Sequence, residues 1–246
     1  MKVILLSAGK GLRMMPLTKN TPKCLLHVGN GLTVLETQLE IIKETPKIRE
    51  IIIVTGYLSE QIEAKVKKYK NKLNIKIVYN PFYDISNNLV SLWFAKHEMD
   101  SDFIIINGDN IFKRCVLNKL IEAKRDMCMV IDKKKQYNID DMKVTIEGDR
   151  IKRVSKEIEM DKIDGESVGI MKFQNGANRV IKNILEKMIR DKKNLNVFYL
   201  EAINRLIEEG YAMYYVEVDE NDWAEIDFHP DYELIKKNIE KFNIKE

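Results

Sequence analysis

The chain has 246 residues, 45% of them hydrophobic and 32% charged, with a formal net charge of +3. That balance describes a globular protein with enough apolar residues for a sizeable core, and so small a net charge favours no class of partner. No apolar run approaches the roughly 20 residues of a membrane span, and Gly9, Lys10 and Arg13 interrupt the apolar N-terminal stretch before a signal-peptide core can form. A cytoplasmic protein with no membrane partner is expected.

Taken in order, Val3 to Leu6 reads as a short buried strand that ends where Gly9 and Gly11 begin. Leu25 to Val28 reads as an extended piece, and Thr33 caps a helix whose apolar positions Leu35, Leu39 and Ile42 recur at helical spacing before Pro46. Glu50 to Val54 is a buried strand, followed by Thr55-Gly56-Tyr57 and a helix that Ser59 can cap. Ile75 to Tyr79 is the next strand, Asn80-Pro81 breaks it, Leu89 to Met99 is helical, and Phe103 to Ile106 is a deep strand. Three strand-helix units in series predict an α/β fold with a doubly wound, mostly parallel, Rossmann-like sheet.

The second half differs. Met127 to Ile131, Lys143 to Ile146, Ile151 to Val154 and Val168 to Phe173 are shorter runs separated by charged turns, which predicts additional mixed or antiparallel strands. Helices over Ala177 to Arg190 and Phe198 to Glu209, a strand over Tyr211 to Val218 and a last helix from about Asp231 to Phe242 complete the chain. There is no linker composition, so one domain over residues 1–246 is expected. Cys24, Cys115 and Cys128 are odd in number and far apart, which suits reduced thiols. His27, His97 and His229 share no ligand spacing and read as surface or loop residues. The lysine runs at 65–72 and 133–135 lack interleaved stacking aromatics, so they read as solvated faces and no nucleic-acid partner is expected.

Chemistry concentrates in residues 6–23, LSAGKGLRMMPLTKNTPK. Glycine backbone can form a nest of N–H groups for anionic oxygens, Arg13 offers a planar fork for phosphate, and Lys23 adds a point charge. The spacing is not that of a P-loop, and Met14 stands where a dinucleotide fingerprint needs its third glycine. Ligands of open α/β sheets bind beyond the carboxyl ends of the strands, which selects the opening loop, Gly56-Tyr57, Asn80 to Asn88 and Asn107 to Asn110. There Asp109 is either a metal ligand or a turn aspartate. Strand periodicity puts Glu225 and Asp227 on one face, so two distant acidic segments could share one Mg²⁺, an ion that takes one or two carboxylates and completes its shell with water and phosphate.

Gly9, Gly11 and Arg13, then Pro16-Leu17-Thr18, then Pro22-Lys23, resemble the G-x-G-x-R, P-L-T and P-K signature of the nucleotidyltransferases that make activated sugars and alcohols. Within them the likeness is to the small bacterial cytidylyltransferases related to phosphocholine cytidylyltransferase. The resemblance implies a CTP-binding half over residues 1–125, with Leu6, Ala8, Gly9, Gly11, Arg13, Lys23, Gly56, Tyr57 and Asn87 on the nucleotide. It implies an acceptor half over 126–246, with Lys156, Glu166, Trp223 and Tyr83 on a small phosphorylated acceptor. Arg13, Lys23, Asp109 and Asp227 would be catalytic, and Asp109, Asp227 and Glu225 would hold Mg²⁺. Ser7 departs from the usual alanine, and the acceptor-side aromatic pattern does not align. Trp223, beside the acidic segment, is the aromatic face expected for a quaternary ammonium. A sugar-1-phosphate nucleotidyltransferase, or a non-catalytic nucleotide-sensing module, remains open at this point, as does oligomeric state.

Overall fold

Runs of consecutive aliphatic residues need cover on both sides, and the fold supplies it with helices on the two faces of one sheet. The computed structural model describes residues 1–29 and 31–242. Its elements are β1 (Lys2–Ser7), α1 (Val34–Lys43), β2 (Glu50–Thr55), α2 (Ser59–Val66), β3 (Ile75–Tyr79), α3 (Asn88–Phe94), β4 (Phe103–Asn107), β5 (Asn110–Phe112) and α4 (Arg114–Glu122). There follow β6 (Met127–Asp132), β7 (Lys143–Glu147), β8 (Arg150–Ser155), β9 (Gly165–Phe173), α5 (Ala177–Ile189), α6 (Leu200–Glu208), β10 (Met213–Val218), β11 (Trp223–Glu225) and α7 (His229–Asn238).

Nine strands form one sheet in the order β3-β2-β1-β4-β9-β6-β10-β8-β7, and β11 pairs with β5 in a separate two-stranded sheet. The strands β3, β2, β1 and β4 are parallel, as three strand-helix units require. The mixed character of the second half enters at β9, which runs antiparallel to both β4 and β6. β10 is parallel to β6, while β7 and β8 form an antiparallel pair that returns to β9.

Strand periodicity divides the core. Ile4, Ile52, Val54 and Ile105 point to the face covered by α3, α5 and α6, and Val3, Leu5, Ile51, Ile53, Ile104 and Ile106 to the face covered by α1, α2 and α4. Each such aliphatic side chain stabilises the fold by about 1.5–3 kcal/mol on burial. Phe103 stacks on Phe173 across the β4–β9 seam with ring centroids 5.1 Å apart. Among the described residues no helix is long and apolar enough to cross a membrane.

Local differences from the sequence reading have simple causes. Ser59 does not cap α2; it is the first helical residue, Leu58 precedes it in the left-handed region, and the Ser59 hydroxyl instead bonds Thr55 and Glu63. The stretch from Leu25 to Val28 is extended only from Leu26, because Lys23–Leu25 forms a 3₁₀ turn. The helix expected to reach Met99 is α3 followed by a 3₁₀ turn over Ala95–Glu98. β5 and α4 were unassigned; three residues are too few to show a period, although Val116, Leu117 and Leu120 do lie at helical spacing. Cys24, Cys115 and Cys128 are free thiols, and burial pushes Cys24 up to about 12 and Cys128 up to about 11.

Thr33 does cap α1. Its hydroxyl oxygen accepts the Glu36 N–H at 3.3 Å, and the Thr33 N–H donates to Glu36 Oε2 at 2.9 Å, closing a capping box in a buried position. Thr33→Ala should lower unfolding stability by about 1–2 kcal/mol, read as a drop in the urea midpoint at constant slope, and Thr33→Ser should retain most of it. A wild-type midpoint for the alanine variant would mean that the box contributes nothing.

Candidate active site

Parallel pairing of β1 with β4 sets Leu6 beside Asn107, so the loops leaving these two strands share one sheet edge. The first loop folds tightly on itself. Gly11 has φ 62°, and a Cβ there would lie 3.1 Å from the Lys23 Cβ, so both conformation and space call for glycine. Thr18 Oγ1 donates to the Gly11 carbonyl at 2.8 Å and holds that shape. Lys23 is thereby brought against the end of β4.

The separate β5–β11 pair assembles the acids. Asn110 is opposite Glu225, and the Ile226 N–H donates to the Asp109 carbonyl at 3.2 Å, so the two acidic segments become neighbours. One carboxylate oxygen from each of Asp109, Glu225 and Asp227 lies within 4.8 Å of the others. Gln38 supports the arrangement from α1 by donating to the carbonyls of Asn107 and Asn110 at 2.9 and 2.8 Å. Nothing in its sequence context marks Gln38; only a buried amide among apolar helix positions hints at a partner.

Lys23 Nζ bridges Asp109 Oδ2 at 2.8 Å and Asp227 Oδ1 at 2.9 Å. Burial works to lower its pKa, but the charges of Asp109 and Asp227 prevail and raise it, so the ammonium stays charged. Arg13 reaches the other Asp227 oxygen at 3.0 Å and Asp140 at 3.4 Å, with its guanidinium 5.0 Å from the Phe228 ring centroid. Burial, then Asp109, then Asp227 hold the Glu225 carboxyl well above the usual range. Asp109 Oδ1 is buried without a hydrogen-bond partner. A buried oxygen that accepts nothing, in an all-carboxylate cluster, fits a small hard cation such as Mg²⁺.

Two adjoining cavities, of about 990 and 510 Å³, open over this centre. Leu6, Gly9, Arg13, Tyr83, Asn87, Asp109 and Asp227 line both, whereas Gly11 and Lys23 line the smaller one. Ala8, Glu225, Lys156, Glu166 and Trp223 line the larger. Asn87 also caps α3 by accepting the Asn88 N–H at 2.7 Å. Gly56 and Tyr57 line neither cavity; they back it, since a Cβ on Gly56 would meet Tyr83 Cβ at 2.5 Å and the Tyr57 N–H donates to the Ala8 carbonyl at 3.0 Å. His229 is an exposed surface residue, in keeping with the sequence reading, at the first position of α7, its Nε2 at 2.8 Å from the Met15 carbonyl oxygen.

The second half of the chain holds residues that spacing did not reveal. Asp132 and Glu166 are cross-strand partners on β6 and β9. Lys134, read from sequence as part of a solvated run, instead turns inward, pairs with Glu166 and lies 3.6 Å from Asp141. Two mid-chain acids facing one another could be found only by knowing the β6–β9 register. Trp223 is 6% exposed, its Nε1 donates to Asp132 Oδ2 at 2.9 Å, and Lys134 Nζ lies 5.4 Å from its ring centroid. It is therefore not the open aromatic wall that was expected. Lys143, buried at the start of β7, donates to the Ile139 and Lys156 carbonyls at 2.9 and 2.8 Å and ties the two loops together. Tyr199, also buried, donates to Asn107 Oδ1 at 3.3 Å, and both residues line the larger cavity.

Residues 2–139 match the family model described as Nucleotidyl transferase. Over 257 aligned residues, 95% of this chain and 98% of the relative, the sequence is 31% identical to the CTP:phosphoglutamine cytidylyltransferase of Campylobacter jejuni. It is 28% identical to the choline-phosphate cytidylyltransferase of Streptococcus pneumoniae over 99% of this chain and 100% of that protein. The solved structure of the CTP:phosphocholine cytidylyltransferase from Streptococcus pneumoniae matches with a TM-score of 0.80 and 26% identity, covering 97% of this chain and 98% of that one. The shared fold spans both halves of the sheet.

Burial pushes Glu166 up to about 7 from an ordinary 4.5, against the pull of Lys134 and with the help of Asp141 and Asp132. Below about pH 4.5 the carboxyl is protonated folded or unfolded. Between there and pH 7 the folded state binds more protons, so stability falls as pH rises, and above pH 7 the full cost of a buried carboxylate is present. Glu166→Gln removes that cost. Its Tm relative to wild type should be higher at pH 8 than at pH 5 by on the order of 5 °C; a pH-independent difference would show that Glu166 ionises normally.

Proposed function

The chain belongs to the nucleotidyl transferase family, and from that premise we propose that it is a Mg²⁺-dependent cytidylyltransferase of the cytoplasm, joining CTP to a small phosphorylated acceptor with release of pyrophosphate. The observation that carries this reading is the convergence of Lys23, Arg13, Asp109, Glu225 and Asp227 at one sheet edge beneath a large cavity. A regulatory module has no need to bring two cations and three carboxylates to one point.

In the reaction, a phosphate or phosphonate oxygen of the acceptor attacks the α-phosphorus of CTP. The new O–P bond forms as the bond from the α-phosphorus to the bridging oxygen breaks, and the electron pair leaves with pyrophosphate. No protein base is needed, because a phosphomonoester with a second pKa of about 6 is already largely dianionic at neutral pH. The barrier is repulsion between anions, which fixed cations and in-line positioning relieve. Lys23, kept charged by its two aspartates, would meet the α-phosphate. Arg13, half exposed and held by side-chain carboxylates at both ends of its fork, would exchange them for the β- and γ-phosphates. Asp109, Asp227 and Glu225 would hold Mg²⁺, which when bound supplies positive charge against the reacting phosphates.

Asp109→Asn and Asp227→Asn should each lower kcat by roughly a thousandfold or more. The double variant should lose little beyond either single one, because both changes disable the same site. Chelation of Mg²⁺ should abolish pyrophosphate release in the wild type. Full Mg²⁺-dependent turnover in either single variant, or indifference to chelator, would sink the proposal. Arg13→Ala should cost about 2–4 kcal/mol in kcat/KM with little change in Tm; an unchanged kcat/KM would remove Arg13 from the phosphate site.

A further inference from the structure

Three aromatic rings that line the large cavity, those of Trp223, Phe198 and Phe228, carry cations of the protein itself. Lys134 Nζ lies 5.4 Å from the Trp223 ring centroid, Lys156 Nζ lies 5.5 Å from that of Phe198, and the Arg13 guanidinium lies 5.0 Å from that of Phe228. Trp223 is the most committed of the three. Its indole N–H is bonded to Asp132, and almost none of the ring is exposed. Around Lys134 the balance runs the other way, since Asp132, Asp141 and Glu166 surround one ammonium. Asp132 and Glu166 stand opposite one another on neighbouring strands and are both buried.

These two facts sort ammonium groups by chemistry. A quaternary ammonium donates no hydrogen bonds and is held chiefly by an open aromatic face. A primary ammonium has three N–H donors and is held by carboxylates, in charge-assisted bonds with directional geometry. Here the Trp223 face is covered, and the carboxylates around Lys134 outnumber it three to one.

Resting on the reading of the chain as a cytidylyltransferase, we propose that Lys134 determines acceptor specificity: it covers Trp223 against quaternary ammonium groups and leaves Asp132, Asp141 and Glu166 to receive an acceptor bearing a primary ammonium. The acceptor class is an aminoalkyl phosphate or phosphonate, or a phosphorylated amino acid. A trimethylammonium would have to displace Lys134 from Glu166 and Asp141 to reach the ring, and it would return no hydrogen bond to either acid.

The test compares phosphoethanolamine with phosphocholine, which share a phosphate and differ at the nitrogen, by pyrophosphate release with CTP. The wild type should favour phosphoethanolamine by about tenfold or more in kcat/KM. Lys134→Met keeps the aliphatic stem, removes the charge and frees the ring, so the ratio should fall several-fold through a gain for phosphocholine. Lys134→Arg restores a cation over the ring and should restore the preference. Equal or better use of phosphocholine by the wild type overturns the inference without any variant, and so does a ratio that Lys134→Met leaves alone. Both outcomes keep the transferase reading, whereas no pyrophosphate release from CTP with any phosphorylated acceptor overturns that reading and this inference together.

Discussion

Three carboxylates drawn within 4.8 Å of one another form the constraint on which the site depends. Like charges at that distance repel, and burial of Glu225 makes its ionised form costlier still. The fold opposes this with the short β5–β11 pairing, which sets the backbone, and with Lys23, whose ammonium bridges Asp109 and Asp227. Even so, one Asp109 oxygen is left buried and unpartnered. A cluster built this way is under electrostatic stress by design of the chain, and positive charge is what relieves it.

The parallel half of the fold was legible because its strands are uninterrupted aliphatic runs with glycine or proline behind them, as in Ile51 to Val54. The opening loop was legible because phosphate chemistry needs glycine and fixed cations at short spacing, and Gly9, Gly11, Arg13 and Lys23 sit in one stretch. The acidic pair Glu225 and Asp227 could be found from strand periodicity, yet Asp227 lies just past the end of β11; tertiary contact, more than period, brings it to Asp109. What stayed hidden depended on register. Asp132 faces Glu166 only because β6 pairs antiparallel with β9, and Lys134 turns inward to Glu166 and Asp141. A lysine within a Lys-Lys-Lys run looks the same in sequence whether it points to water or to a buried carboxylate.

The two halves of the cavity therefore follow different physical rules. Around the opening loop, backbone conformation dominates, with Gly11 folded against Lys23 and Gly56 making room for Tyr83. Around β6, β7 and β9, side-chain charge dominates, and a single buried lysine, Lys143, anchors the loops from both ends through two carbonyl oxygens. Relatives named for phosphoglutamine and for choline phosphate align with this chain over almost its whole length.

Every strand of the nine-stranded sheet has been laid down by Val218, whereas two of the three clustered acids lie beyond it, on a three-residue strand and the turn that follows. During synthesis the main sheet can thus assemble around its aliphatic core while the acidic cluster is still a lone aspartate. The acidic cluster is completed by the closing segment, after the scaffold, so a chain shortened before Trp223 would keep all the strands of its large sheet but only one of the three clustered acids.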